Sequence, residues 1–154
     1  MNPNPTATAS SNSPVNAGAS LNLTGGGGGG SGTPPAYAWA GPNGFISTAQ
    51  SPSISGATVA ASGVYTLTVT ASGCTNSATT SVTIPIMVIS VRTGSWEDNS
   101  TWNVGRVPQL GDYVIIDNNH IVTLNGTGIT KNLEYRGTGQ LKFNTTSSKL
   151  NTGQ

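Results

Sequence analysis

Glu97, Asp98, Asp112, Asp117 and His120 are the residues of this chain best equipped for chemistry. Two carboxylates facing each other across a cleft would support glycoside hydrolysis, and Glu97 with Asp112 is the pair to consider, although no sequence pattern brings them together. Asp117, Asn118 and Asn119 offer hard oxygen ligands in one turn, and Glu97, Asp98 and Asn99 offer more, so calcium is the one cation the chain could hold. The spacing of an EF-hand is missing, and Asx-rich turns between strands form without any metal. A zinc site needs several His or Cys ligands, whereas the chain has one His and one Cys. His120 opens an alternating strand, where a structural hydrogen bond is the expected role. The sequence therefore assigns no catalytic residue, no cofactor and no metal ligand, with calcium at Asp117, Asn118 and Asn119 as the remaining alternative. Trp96, Trp102 and Arg106 are the candidate ligand-binding residues. The two indoles could form a flat sugar-stacking platform, or they could plug an open end of the fold, which is the preferred reading. Arg106 could stack on such a ring with no ligand present.

All six Lys and Arg and all five Asp and Glu lie between Arg92 and Lys149, so the first 91 residues carry no charged side chain. An uncharged segment rich in Ser, Thr, Ala and Gly supplies no general acid and no phosphate-binding cation. The net charge of +1 leaves no basic face for nucleic acid. The longest apolar run, residues 84–89, is far below the ~20 residues of a membrane-spanning helix and contains Pro85. Met1 is followed by Asn-Pro-Asn-Pro rather than by a basic and then apolar stretch, so the opening is not a secretory signal peptide and reads as the start of a fragment.

Helical periodicity is almost absent. Alternation is clearest in residues 64–70, where Tyr65, Leu67 and Val69 share one face and Val64, Thr66, Thr68 and Thr70 the other. The same pattern recurs in residues 20–24 and 79–84, then in 113–116, 120–124, 129–135 and 140–143, with Gly, Pro, Ser and Asn between. The fold class is all-β. The hexaglycine at 25–30, continued by Ser31, Gly32, Thr33, Pro34 and Pro35, matches a dinucleotide fingerprint only trivially, since no helix or acidic residue follows at the right distance. A flexible inter-strand loop is expected there.

Tyr37-Ala38-Trp39-Ala40, Pro52-Ser53-Ile54-Ser55 and Gly63-Val64-Tyr65-Thr66-Leu67 carry a resemblance. They resemble the immunoglobulin-like or PKD-like repeats of secreted surface proteins of Bacteroidetes. That resemblance implies a β-sandwich with Trp39 buried and Tyr65 at a corner two positions before the inward Leu67. Such repeats commonly pair a Cys near position 16 with one near 74. This chain has Asn16 and leaves Cys74 alone, so a staple worth roughly 2–4 kcal/mol is missing. Cys74 has no cationic neighbour in sequence to activate it and is expected to be inert. Residues 91–124, with Gly94, Trp96, Thr101, Trp102, Pro108, Asp112, His120 and Leu124, look like the opening of secreted G8-like or right-handed β-helix domains. Coils of that kind bury their apolar face only against one another, so the stack is expected to continue beyond Gln154.

The sequence therefore predicts an immunoglobulin-like sandwich over residues 1–84, a linker over 85–90 and a partial β-solenoid over 91–154. The function it implies is that of a non-catalytic extracellular structural or adhesion module. The alternative is the carbohydrate-binding accessory region of a polysaccharide-active enzyme. Neighbouring domains of the same polypeptide, glycans and cell-surface proteins are the expected partners, and nucleic acid is not.

Overall fold

The computed structural model describes residues 4–29 and 34–153. The chain is all-β and falls into two compact units, Met1–Ile84 and Pro85–Gln154.

The first unit contains β1 (Thr8–Ser11), β2 (Leu21–Gly26), β3 (Ala36–Ala40), β4 (Ile46–Ser47), β5 (Ser53–Ile54), β6 (Gly63–Ala71) and β7 (Cys74–Val82). They form two antiparallel sheets ordered β1-β2-β5 and β4-β3-β6-β7. Alternation decides which side chains go in: Leu21 and Leu23 from one sheet meet Trp39, Tyr65, Leu67 and Val69 from the other in a single core. The hydroxyls of the alternate positions are left facing out. Tyr65 makes the expected corner, its hydroxyl donating to the Ala61 carbonyl at 2.9 Å. Burial pushes the Tyr65 phenol above its ordinary pKa.

Gln50, between β4 and β5, ties the two sheets together. Its main-chain carbonyl accepts from the Gly25 N–H of β2 at 3.1 Å and from the Trp39 indole N–H of β3, also at 3.1 Å. Its side-chain amide donates back to the Gly25 carbonyl at 2.9 Å. The glycine run is thus ordered at its start, contrary to the expected flexible loop. Gly25 and Gly26 are strand residues paired with Ala9 and Thr8. A Cβ on Gly25 would stand 2.5 Å from the Gln50 carbonyl oxygen, and one on Gly27 would stand 2.7 Å from that of Thr6 and 2.8 Å from Val69 Cγ1. Glycine sits there because two backbones approach closely. Residues 30–33 of the expected loop lie outside the described residues.

The second unit is a stack of parallel strands. A first coil supplies β8 (Met87–Ile89) and β9 (Gly94–Ser95), a second β10 (Tyr113–Ile116), β11 (Ile121–Leu124) and β12 (Thr127–Thr130), and a third β13 (Asn132–Tyr135), β14 (Gln140–Phe143) and β15 (Lys149–Thr152). Like strands stack in parallel as β8-β10-β13, β9-β11-β14 and β12-β15, a three-sided solenoid-like arrangement. Inward residues form columns in register, such as Val88, Val114 and Leu133, or Val122 and Leu141. The expected linker over 85–90 is partly structure: Val88 is fully buried, and β8 hydrogen-bonds to β10. The run 129–135, expected as one strand, is broken at Lys131 into β12 and β13, because the chain turns a corner there. Thr130 secures that corner, its hydroxyl lying 2.9 Å from the Asp112 carbonyl and 2.7 Å from that of Asn132.

Two stability measurements follow for the first unit. Trp39→Ala should cost roughly 3–5 kcal/mol in chemical denaturation, and a parental melt would remove Trp39 from the core. Gly25→Ala and Gly27→Ala should each cost about 1–3 kcal/mol through overpacking, while Gly28→Ala, which meets nothing within 4 Å, should be neutral or slightly stabilising. Equal, negligible effects at all three positions would restore the flexible-loop reading.

Candidate functional site

The chemically capable residues all belong to the second unit, and the structure gives each a structural partner. Glu97 sits where the first coil's chain passes the corner after β11. Its Oε1 accepts from the Asn125 N–H at 2.9 Å and the Gly126 N–H at 3.1 Å, and its Oε2 takes the Ser95 hydroxyl and the Asn125 side-chain amide. Desolvation works to raise its pKa, but the hydrogen bonds from Ser95, Asn125 and its own main chain outweigh it, and the carboxyl is held below the usual range. Asp98 caps the short turn Asn99–Thr101: its Oδ1 accepts from the Ser100 N–H and hydroxyl, each at 2.8 Å. These bonds, with Arg92 at 2.6 Å from Oδ2, lower its pKa.

Asp112 is nearly buried and clamps the loop ahead of β10. The Arg106 guanidinium reaches it through two hydrogen bonds of 2.7 and 3.0 Å, and the Gln109 N–H through a third of 2.7 Å. The guanidinium thus pairs with a carboxylate. Its own pKa is raised, chiefly by the hydrogen bond to Asp112. Glu97 and Asp112 are each held by a different set of hydrogen-bonding partners.

Trp96 and Trp102 are 3% and 2% exposed, which removes them as a flat platform for a sugar. They meet edge to face, with centroids 5.1 Å apart and planes at 74°, and the Trp102 indole N–H donates to the Trp96 carbonyl at 2.9 Å. Among the described residues the first coil contributes no strand to the β12-β15 side, and Trp96 packs against Gly128 of β12 there. A Cβ on Gly128 of β12 would stand 3.1 Å from the Trp96 ring.

Asp117, Asn118 and Asn119 form a tight turn, Asn119 having φ of 63°. Their oxygens face neighbouring chain: Asp117 Oδ1 accepts from the Asn118 N–H and Asn118 Oδ1 from the Thr138 N–H, while the Thr138 hydroxyl lies 3.0 Å from Asn118 Oδ1 and 2.9 Å from Asn119 Oδ1. Thr138 lies at the corresponding corner of the third coil, so the turn fastens one coil to the next. No group of three or more His, Cys, Asp or Glu converges among the described residues. His120 Nδ1 lies 2.9 Å from the Ser90 hydroxyl and 3.1 Å from its carbonyl, and the same hydroxyl accepts the Asp117 N–H at 2.9 Å. Sequence reasoning missed Ser90 because it falls within the expected linker, and a serine between Ile89 and Val91 carries no local signal of burial. Cys74, partly exposed, opens β7 as a free thiol. Two surface hollows, one lined by Leu110, Gly111, Lys131 and Gly153 and the other by Ala38, Trp39, Ile46, Ser47 and Thr48, contain no carboxylate.

No family model and no curated protein matches the chain. Among solved structures it is similar to the amphioxus IgVJ-C2 molecule, at 23% identity over 53% of this chain and 44% of that one, with a TM-score of 0.45. It is also similar to the PKD1 domain of Vibrio anguillarum Epp, at 31% identity over 55% of this chain and 100% of that domain, with a TM-score of 0.43. The chain thus spans less than half the length of the amphioxus molecule. No helix among the described residues is long and apolar enough to cross a membrane.

Glu97 gives a pH dependence with a definite sign. A carboxyl whose folded pKa is depressed adds stability above the unfolded value of about 4.3, and that stability is lost as the pH falls through the lower folded value. The melting temperature of the second unit should therefore fall as the pH is taken below about 4.3. Glu97→Gln should lower it at neutral pH and flatten the acid limb; an acid limb unchanged in the variant would show that Glu97 is not a staple.

Proposed function

We propose that this chain is a non-catalytic structural and adhesive module of an extracellular or cell-surface protein. The observation that carries this reading is the use made of the reactive side chains: Glu97, Asp98, Asp112 and His120 each secure a loop or corner, and the two indoles that could receive a sugar are buried against each other. The first unit adds an uncharged, hydroxyl-rich surface that resists charge-driven contact with bystanders, which suits a module that holds its neighbours apart. Its partners in this role are the neighbouring domains of the same polypeptide. Any glycan or cell-surface protein it meets would be held by loops.

The rival, a carbohydrate-binding accessory region, requires rings that a sugar can reach. The two readings separate in solution. The purified chain incubated with a panel of polysaccharides should release no reducing ends, and its tryptophan emission should not move on titration with soluble glycans. Hydrolysis that disappears in Asp112→Asn would overturn the proposal, and a saturable emission shift would favour the rival.

A further inference from the structure

Asn125 and Gly126 form one of the two Asn-Gly pairs in the chain, the other being Asn43-Gly44. An asparagine followed by glycine is chemically labile, because glycine has no Cβ to keep its main-chain nitrogen away from the asparagine side-chain carbon. That nitrogen attacks Cγ and loses its proton to water, so a new N–Cγ bond closes a succinimide ring. The Cγ–Nδ2 bond breaks, and Nδ2 takes a proton from water and leaves as ammonia. Water then opens the ring at either carbonyl, and aspartate or isoaspartate stands where asparagine was. Both residues are exposed, so water has access to them.

The corner after β11 opposes the first of these steps. The Gly126 N–H donates to Glu97 Oε1 at 3.1 Å, and the Asn125 N–H donates to the same oxygen at 2.9 Å. The Asn125 amide is held at both ends: Nδ2 donates to Ser95 Oγ at 3.0 Å and to Glu97 Oε2 at 3.2 Å, while Oδ1 accepts from Asn144 Nδ2 at 2.9 Å. Ring closure would take a proton from a nitrogen that faces a carboxylate, and would pull the side chain off partners on the coils before and after it. We propose that Asn125 is a latent modification site: Glu97 preserves the amide while the corner is closed, and opening of the corner exposes it to a one-way conversion that then prevents re-closure. The product sets a second carboxylate where Nδ2 had donated to Glu97, so like charges meet across that contact. Isoaspartate also lengthens the main chain by one carbon between the two N–H groups that share Glu97 Oε1.

Peptide mapping by mass spectrometry, with isoaspartate detection, tests this on the full chain incubated at mildly alkaline pH. Conversion at Asn125 should be at least about tenfold slower in the folded chain than in the same chain held in denaturant, since it must wait for a local opening. Glu97→Ala should bring the folded rate close to the denatured one. The rate at Asn43 should not change, because the first unit contains no carboxylate to play the part of Glu97. Tryptophan emission at the parental wavelength checks that the variant is folded, Trp96 and Trp102 being buried. Gly126→Ala, whose Cβ would meet only Glu97 Oε1 at 3.8 Å, should suppress the conversion in both backgrounds. As a mimic of the product, Asn125→Asp should lower the melting temperature of the parent and lower that of Glu97→Gln by less. Equal rates at Asn125 in folded and denatured parent, a folded Glu97→Ala chain that converts at the parental rate, or an Asn125→Asp chain that melts like the parent would each overturn the proposal.

Discussion

Both units depend on the same constraint: a buried indole must find an acceptor for its N–H. Left unpaired inside a core, that group would cost about 1–3 kcal/mol, a large share of the stability of a small domain. In the first unit the acceptor is the carbonyl of Gln50, which also receives the Gly25 N–H, so one oxygen holds the two sheets at a fixed separation around Trp39. In the second the acceptor is the carbonyl of Trp96, and the bond locks Trp102 edge-on against the Trp96 ring. In each case an aromatic side chain supplies the apolar area, and its polar end determines where a loop must run.

The two units treat charge in opposite ways. The sandwich contains none, and its corner is held by the neutral bond from Tyr65 to Ala61. The solenoid-like unit concentrates its carboxylates on irregular segments that lack ladder bonds of their own. Asp98 caps a turn, Asp112 gathers Arg106 and the Gln109 N–H, and Glu97 receives the two consecutive N–H groups of Asn125 and Gly126. A carboxylate accepts several hydrogen bonds at once, which suits it to loops whose donors have no strand partner. The long connection between β9 and β10 needs such anchors because it leaves the coil and returns to it.

Much of this fold is written in alternation. Tyr65, Leu67 and Val69 go inside because a strand places every second residue on one face, and Tyr113–Ile116 is a strand for the reasons its β-branched run suggests. What alternation does not carry is where a coil turns. Ile129 and Leu133 sit on different sides of the stack although the run between them looks uniform, and the break is marked by the Thr130 hydroxyl and the Lys131 N–H, both bonded to the Asp112 carbonyl. The glycines were misread for a related reason: composition reports what a segment can do, whereas the approach of Gln50 and Thr6 decides what Gly25 and Gly27 must be. The site partners were hidden by distance along the chain. Glu97 meets Asn125, and His120 meets Ser90, because stacking brings successive coils together, and no local pattern encodes a contact between them. Trp96 and Trp102 are buried against each other, the inward of the two placements that their sequence left open.

The glycine run has an evolutionary corollary. A tract of identical residues has no distinguishing side chain, so if an insertion or deletion changes its length every position beside Gln50 and Thr6 is still filled by glycine, with Leu21 and Leu23 kept in register. The surplus or deficit passes to the far side of Gly29 and leaves the sheet unaltered. Homologues that differ in tract length should therefore share the same sandwich, with the variation confined to the connection that leads into β3.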